Sequence, residues 1–160
     1  MKVCIIPARG GSKRIPKKNI KDFCGDPIIK YSIDAAKKSN IFDNIIVSTD
    51  DLEIAKISKE IGAEVPFIRP KNISDDNSGI KDVIIHAIKY LEGNGIEFDK
   101  ICCLLATAPL IKINDITPIK EIITELVFNR VDKPISNRIS NEKGDKKTII
   151  FIIISVSFLN

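Results

Sequence analysis

The sequence predicts an α/β fold: a mostly parallel sheet with helices on both faces. Short apolar runs alternate with longer stretches whose apolar residues recur at helical spacing. Strands alternating with helices give a parallel sheet with right-handed crossovers. The run from Lys100 to Leu105 is continuously apolar after its first residue, as a strand covered on both faces is. The first run, Val3 to Ile6, stops at Pro7 and leads into Gly10, Gly11 and a cluster of cations. That order places an anion-holding turn at the end of a first strand, and ligands of open α/β sheets bind outside the carboxyl ends of the strands.

Taken in order, Lys2 to Ile6 reads as a buried strand and Asp22-Phe23-Cys24-Gly25-Asp26 as a turn. Pro27 suits a helix start, where its missing N–H is not needed. A helix over 27–39 would bury Ile28, Tyr31, Ile33, Ala35 and Ala36. Asp43 to Ser48 is a second strand. Asp50, with Glu53 three residues on, reads as the N-cap of the next helix; Ile54, Ile57 and Ile61 form its apolar face, and Gly62 ends it. Val65 to Ile68 is a short strand, and Arg69-Pro70 to Asn77 a loop. A helix over 79–92 carries the stripe Ile80, Val83, Ile84, Ala87, Ile88 and Leu91. Beyond about Leu126 the character changes. Residues 129–147 are polar and charged, and the apolar run from Thr148 to Leu159 falls short of the ~20 residues of a membrane-spanning helix. It is expected as a buried strand, sticky if unpaired. Residues 1–126 are thus expected as one domain and 127–160 as an atypical tail.

A chain of 160 residues with 44% hydrophobic and 29% charged residues can close one packed domain. The net charge of +4 is modest, and residues 1–21 hold seven Lys or Arg and no acid. Such concentration favours a local anion site over a nucleic-acid coat. With 6% aromatic residues and no Trp, base stacking has little material. Neither nucleic acid nor membrane is an expected partner. Cys4, Cys24, Cys102 and Cys103 show no metal-binding spacing, and the apolar setting of Cys4, Cys102 and Cys103 suggests reduced core residues of a cytoplasmic protein. No secretory signal is read at the N-terminus. His86, the only histidine, falls off its helix's apolar stripe and is expected in solvent. No nucleophile–base constellation is legible.

The glycine turn is neither of two common phosphate motifs. Gly10 and Gly11 are adjacent and Lys13 is followed by Arg14, whereas a P-loop spaces its glycines by four and continues Gly-Lys-Ser/Thr. The Gly-x-Gly-x-x-Gly of dinucleotide folds is also absent. Glycines let backbone N–H groups approach an anion, and Arg9, Lys13, Arg14, Lys17 and Lys18 supply charge for more than one phosphate. The topology places Arg9, Asp50, Arg69 and Thr107 along one sheet edge, facing a common cleft.

The run Ile6-Pro-Ala-Arg-Gly-Gly-Ser-Lys-Arg-Ile-Pro-Lys-Lys-Asn19 resembles the nucleotide-binding signature of the cytidylyltransferases that activate nonulosonic acids, among them CMP-sialic acid synthetases and pseudaminic acid cytidylyltransferases. Ile46-Val-Ser-Thr-Asp-Asp51, Phe67-Ile-Arg-Pro70 and Thr107-Ala-Pro109 resemble further blocks in family order, and the likeness runs from Lys2 to about Ile116. The spellings Val-Pro-Phe-Ile-Arg-Pro and Ala-Thr-Ala-Pro are closer to the pseudaminic acid enzymes. The resemblance implies a Rossmann-like nucleotidyltransferase fold, CTP and a nonulosonic acid as substrates, and Mg²⁺ as cofactor. It implies that Arg9, Ser12 and Lys13 hold the triphosphate, Arg9 and Lys13 with a catalytic part. Lys18 and Asn19 would lie at the nucleotide, Arg69 and Ser78 at the nucleoside pocket, and Thr107 toward the sugar. Two departures stand out. Leu105 occupies a position where many sialic acid enzymes carry Gln. Family members also continue into a portion with acidic metal ligands and a dimer-forming segment; residues 127–160 do not resemble it, so the metal ligands stay unassigned, a homodimer stays open and the chain is expected to be truncated or replaced there. Alternatives to turnover are a CTP-binding remnant and a module that pairs with an intact homologue.

Overall fold

The computed structural model describes residues 1–75, 78–116 and 148–150. Its elements are β1 (Lys2–Pro7), a 3-10 turn (Lys18–Ile20), β2 (Asp22–Phe23), β3 (Asp26–Pro27), α1 (Ile28–Lys38), β4 (Asn44–Ser48), α2 (Leu52–Ile61), a second 3-10 turn (Lys71–Ile73), α3 (Ile80–Gly93), β5 (Lys100–Cys103), the short α4 (Ile113–Ile116) and β6 (Thr148–Ile150). The main sheet runs β4-β1-β5-β6, with every pairing parallel. Ile5 stands opposite Ile46 on one side and Cys103 on the other.

Alternate residues of β1 serve two cores. Val3 and Ile5 pack with Ile46, Ile101 and Cys103 beneath Ile84, Ala87, Ile88 and Leu91 of α3. Cys4 and Ile6 join Val47 and Cys102 against Ile29 and Ile33 of α1 and Ile54 of α2. A strand covered on both faces has no polar side to show, so its sequence is apolar throughout. Helices on both faces are therefore observed, as expected. From β1 the chain crosses to β4 on one side and later returns to β5 on the other. The loops leaving β1 and β5 diverge at this switch, which opens a crevice at the strands' carboxyl ends.

Several elements differ in detail from the sequence reading. The expected turn at 22–26 is a hairpin whose tip, Cys24 and Gly25, has φ of 54° and 91°, the two positive values of a type I′ turn. Pro27 caps α1 from outside rather than opening it. The buried face of α1 is Ile29, Ser32, Ile33, Ala35 and Ala36. Ser32 can be buried because its hydroxyl donates to the Leu105 carbonyl at 2.7 Å, a pairing that apolar periodicity cannot show. Tyr31 turns its hydroxyl to the Phe23 carbonyl instead. The N-cap of α2 is Asp51, not Asp50: one Asp51 carboxylate oxygen accepts the Glu53 and Ile54 N–H groups at 2.7 and 3.2 Å. Residues 64–68 form two isolated parallel bridges, Ile46 to Glu64 and Thr49 to Ile68. Pro66 between them has no N–H to extend a ladder. Thr148–Ile150 pairs with β5; residues 127–147 and 151–160 of the expected tail lie outside the described residues.

Cys4, Cys102 and Cys103 are buried free thiols, and Cys24 is exposed. A side-chain hydrogen bond with Cys102, reinforced by burial, holds the Cys4 thiol well above its ordinary pKa. Burial pushes Cys103 up to about 12. His86 is half-buried rather than solvated. Its ring meets the edge of Phe67 at 4.8 Å, and its Nδ1 is buried without a hydrogen-bond partner. Burial and then the Arg69 charge hold its pKa below the ordinary value. Among the described residues no helix is long and apolar enough to cross a membrane.

Candidate functional site

A cleft of about 340 Å³ opens where β1 and β5 end, within the usual size of small-molecule sites. Arg9, Ser12, Lys18 and Asn19 line it from the loop after β1. Arg69 and Ser78 line the opposite side, and Thr107 follows β5. Seven of the eight candidate residues thus share one cleft, although they lie up to 98 positions apart in the chain. Lys13 is exposed and is not part of the lining. Leu105, Ile80 and Val83 contribute an apolar stretch between the polar walls.

The loop after β1 is held at its ends. The Ala8 N–H donates to the Ser48 carbonyl at 2.9 Å, continuing the β1–β4 ladder. The Gly10 N–H donates to Asp50 Oδ1 at 3.0 Å. Asn19, 5% exposed, donates its amide to the Arg9 carbonyl at 2.9 Å, closing the loop across its base. Lys17, in a left-handed conformation with φ 51°, reaches Glu53 of α2 as an exposed ion pair. That pair raises the Lys17 pKa, through its hydrogen bond first and then the carboxylate charge. Gly10 has a definite reason to be glycine: a Cβ there would lie 2.5 Å from Asp51 Oδ2. A Cβ on Gly11 would meet nothing within 4 Å. The Gly10 N–H is therefore already engaged within the protein, as is the Ser12 N–H, which donates to the Gly10 carbonyl at 2.9 Å.

Arg69 forms the opposite wall, and it is 4% exposed. Its backbone N–H donates to the Thr49 carbonyl at 2.7 Å. Its Nε donates to Ser74 Oγ at 3.0 Å, and its Nη2 reaches Asp50 Oδ1 at 3.4 Å. Nη1 lies 3.5 Å from the Ser48 carbonyl. Burial lowers the Arg69 pKa, the Asp50 carboxylate raises it, and the Arg9 charge lowers it; a guanidinium stays protonated regardless. Ser74 in turn donates to the Pro70 carbonyl at 2.8 Å. Arg9 spans the cleft, its Nη1 donating to the Asp75 carbonyl at 3.0 Å, and the Asp75 carboxylate accepts both the N–H and the hydroxyl of Ser78.

This arrangement can hold an extended polyanion on the loop side and a planar polar group against Arg69. The cytidylyltransferase family profile matches residues 3–143. The chain belongs to the cytidylyltransferase family. Among its relatives, a pseudaminic acid cytidylyltransferase of Campylobacter jejuni is 52% identical over 109 residues, 68% of this chain and 47% of the relative. N-acylneuraminate cytidylyltransferase A of Danio rerio is 40% identical over 127 residues, 79% of this chain and 28% of the relative. The higher figure lies with the pseudaminic acid relative, the direction in which the motif spellings point. A solved CMP:2-keto-3-deoxy-manno-octonic acid synthetase complexed with CTP superposes with a TM-score of 0.64 at 22% identity, over 78% of this chain and 47% of that one, which supports the Rossmann-like nucleotidyltransferase fold. The chain spans about half the length of the pseudaminic acid relative, and the family match runs past Ile116 into residues read above as the tail.

The sequence places Asp50 on the same sheet edge as Arg9 and Arg69, but reads it as the cap of α2 and not as the partner of Gly10 and Arg69. Asp50 and Asp51 are equally good caps on paper, and the choice between them decides which is left for Arg69. Ser74 was also missed, because a serine in a loop carries no signal until the loop folds back on the guanidinium.

Proposed function

We propose that this chain carries the nucleotide site of an enzyme that transfers CMP from CTP to a nonulosonic acid of the pseudaminic or sialic acid type. The observation that carries the reading is one cleft, joining the Gly10-Gly11 cation loop to the buried Arg69 at the β1–β5 switch. The named activity of the 52% identical relative supports it. In this reading the anomeric hydroxyl of the sugar attacks the α-phosphorus of CTP. The new oxygen–phosphorus bond forms as the bridge to the β-phosphate breaks, the hydroxyl proton passes to water, and pyrophosphate leaves. Arg9, Ser12 and Lys18 face the cleft where phosphate oxygens gain charge, and fixed cations and donors lower the barrier there. Lys13 adds charge from outside the lining. Asn19 keeps the loop closed, Arg69 and Ser78 face the nucleoside, and Thr107 the sugar.

Among the described residues no group of three or more His, Cys, Asp or Glu is placed to hold a metal ion. Mg²⁺ needs only one or two carboxylates beside substrate phosphates, and it is proposed to come bound to the triphosphate. A cytoplasmic location belongs to the same reading, supported by the free buried thiols.

The test is calorimetric competition among CTP, UTP, ATP and GTP, followed by pyrophosphate release with CTP, Mg²⁺ and either pseudaminic or sialic acid. CTP preference with release on one sugar is expected. Equal affinity for all four nucleotides would overturn the cytidine assignment, and CTP binding without release would reduce the function to binding.

A further inference from the structure

One carboxylate oxygen joins the two walls of the cleft. Asp50 Oδ1 accepts the Gly10 N–H at 3.0 Å and faces Arg69 Nη2 at 3.4 Å. Asp50 can do this because Asp51 takes the cap of α2. Asp50 is not part of the cleft lining. Its negative charge stands beside a loop rich in cations, where it opposes phosphate binding. A charge in that place, outside the lining, calls for another role, and geometry supplies one. Gly10 is fixed on one side by Asp50 and on the other by the close approach of Asp51. Arg69 is fixed by Ser74 and Asp50. The loop's first anchored N–H and the guanidinium of the far wall therefore share one reference point.

We propose that Asp50 is a positioning residue that sets the spacing between the phosphate loop and Arg69, so that a nucleotide spanning both walls binds in one register. This rests on the cytidine nucleotide reading above. Asp50 acts through Gly10 and Arg69, so a ligand touching one wall alone gains little from it. A ligand that reaches both loses most when the link is cut, because misplacement by a fraction of an ångström spoils simultaneous contacts.

The experiment uses the full 160-residue chain with Asp50→Ala and Asp50→Asn, each checked for a native fold by circular dichroism. Asn keeps an oxygen for the Gly10 N–H without the charge for Arg69, and it serves if the Ala variant does not fold. In unliganded protein, Arg69→Lys should shift the Gly10 amide NMR resonance, and that shift should vanish in the Asp50→Ala background and shrink in Asp50→Asn. By calorimetry, Asp50→Ala should weaken CTP by about 30-fold while inorganic tripolyphosphate changes by less than about 3-fold, with Asp50→Asn intermediate for CTP. A Gly10 response to Arg69→Lys that is the same with and without Asp50 would overturn the link. Equal weakening of CTP and tripolyphosphate would reduce Asp50 to general support and overturn the positioning role. If the unaltered chain binds tripolyphosphate but no CTP, the function proposed above fails, while the NMR comparison still decides whether Asp50 couples the walls.

Discussion

The cleft's two walls carry positive charge by opposite means. On the loop side Lys18 lines the cleft, with Lys13, Arg14 and Lys17 close by outside the lining; all four stand exposed, and any one can change at little cost to folding. Arg69 is 4% exposed and is held by side chains or carbonyls from β4, the Asp50 turn and the 70–75 loop. A buried guanidinium loses its hydration, so it is tolerable only with partners already in place. Exposed cations lend charge that salt can screen; the buried one lends direction. The comparison teaches that charge count and charge placement are separate design problems, solved here on facing sides of one site.

The largest expected effect comes from removing the placed charge. Arg69→Met should cost about 2–3 kcal/mol of stability, less than the ~3–5 kcal/mol of a fully buried pair because Asp50 keeps some solvent; urea unfolding reads it, and an unchanged midpoint would erase the distinction between the walls. Arg9→Ala should instead leave stability within about 0.5 kcal/mol and weaken CTP by about 1.5–3 kcal/mol. The wild-type affinity should fall as salt rises, and the variant's should fall less steeply. Calorimetry at two salt concentrations checks both. Gly10→Ala should destabilise by about 1–2 kcal/mol through the clash with Asp51, while Gly11→Ala, with open space around it, should be nearly neutral. Equal thermal shifts in the two variants would contradict the tight fit at Gly10.

The smallest effect lies behind Arg69. His86 faces Phe67 and feels the Arg69 charge, and burial holds its pKa below the ordinary 6.5. The unfolded chain therefore takes up this proton before the folded one does. Stability should decline as pH falls from above 6.5 toward the depressed folded value, and His86→Phe should flatten that slope. Thermal melts across this window, compared between the two proteins, measure it.

Much of the scaffold is legible in the residues alone, because strands covered on both faces and helices with one apolar stripe write their burial into residue type. The cation loop was legible for the same reason: seven cations and two glycines in a short stretch have few other uses. Phase and partnership were harder. At the start of α1, Ile29 and Ser32 are buried in place of Ile28 and Tyr31, Ser32 with a carbonyl as its partner, while Ile33, Ala35 and Ala36 stay on the face; Asp51 takes the cap read for Asp50 because both suit it. His86 was misplaced because the stripe says where apolar residues go and not that a loop carrying Phe67 will fold over a polar one. Each of these depends on a contact far away in sequence, which local pattern cannot contain.

The hairpin tip has a practical consequence. Three of the four thiols are buried; Cys4 and Cys103 are further held protonated by their surroundings, and only a thiolate attacks a disulfide reagent. Cys24 alone meets solvent. The native chain should therefore titrate as a one-thiol protein and the unfolded chain as a four-thiol one. The slow appearance of the remaining three would count, molecule by molecule, how often the central strands part.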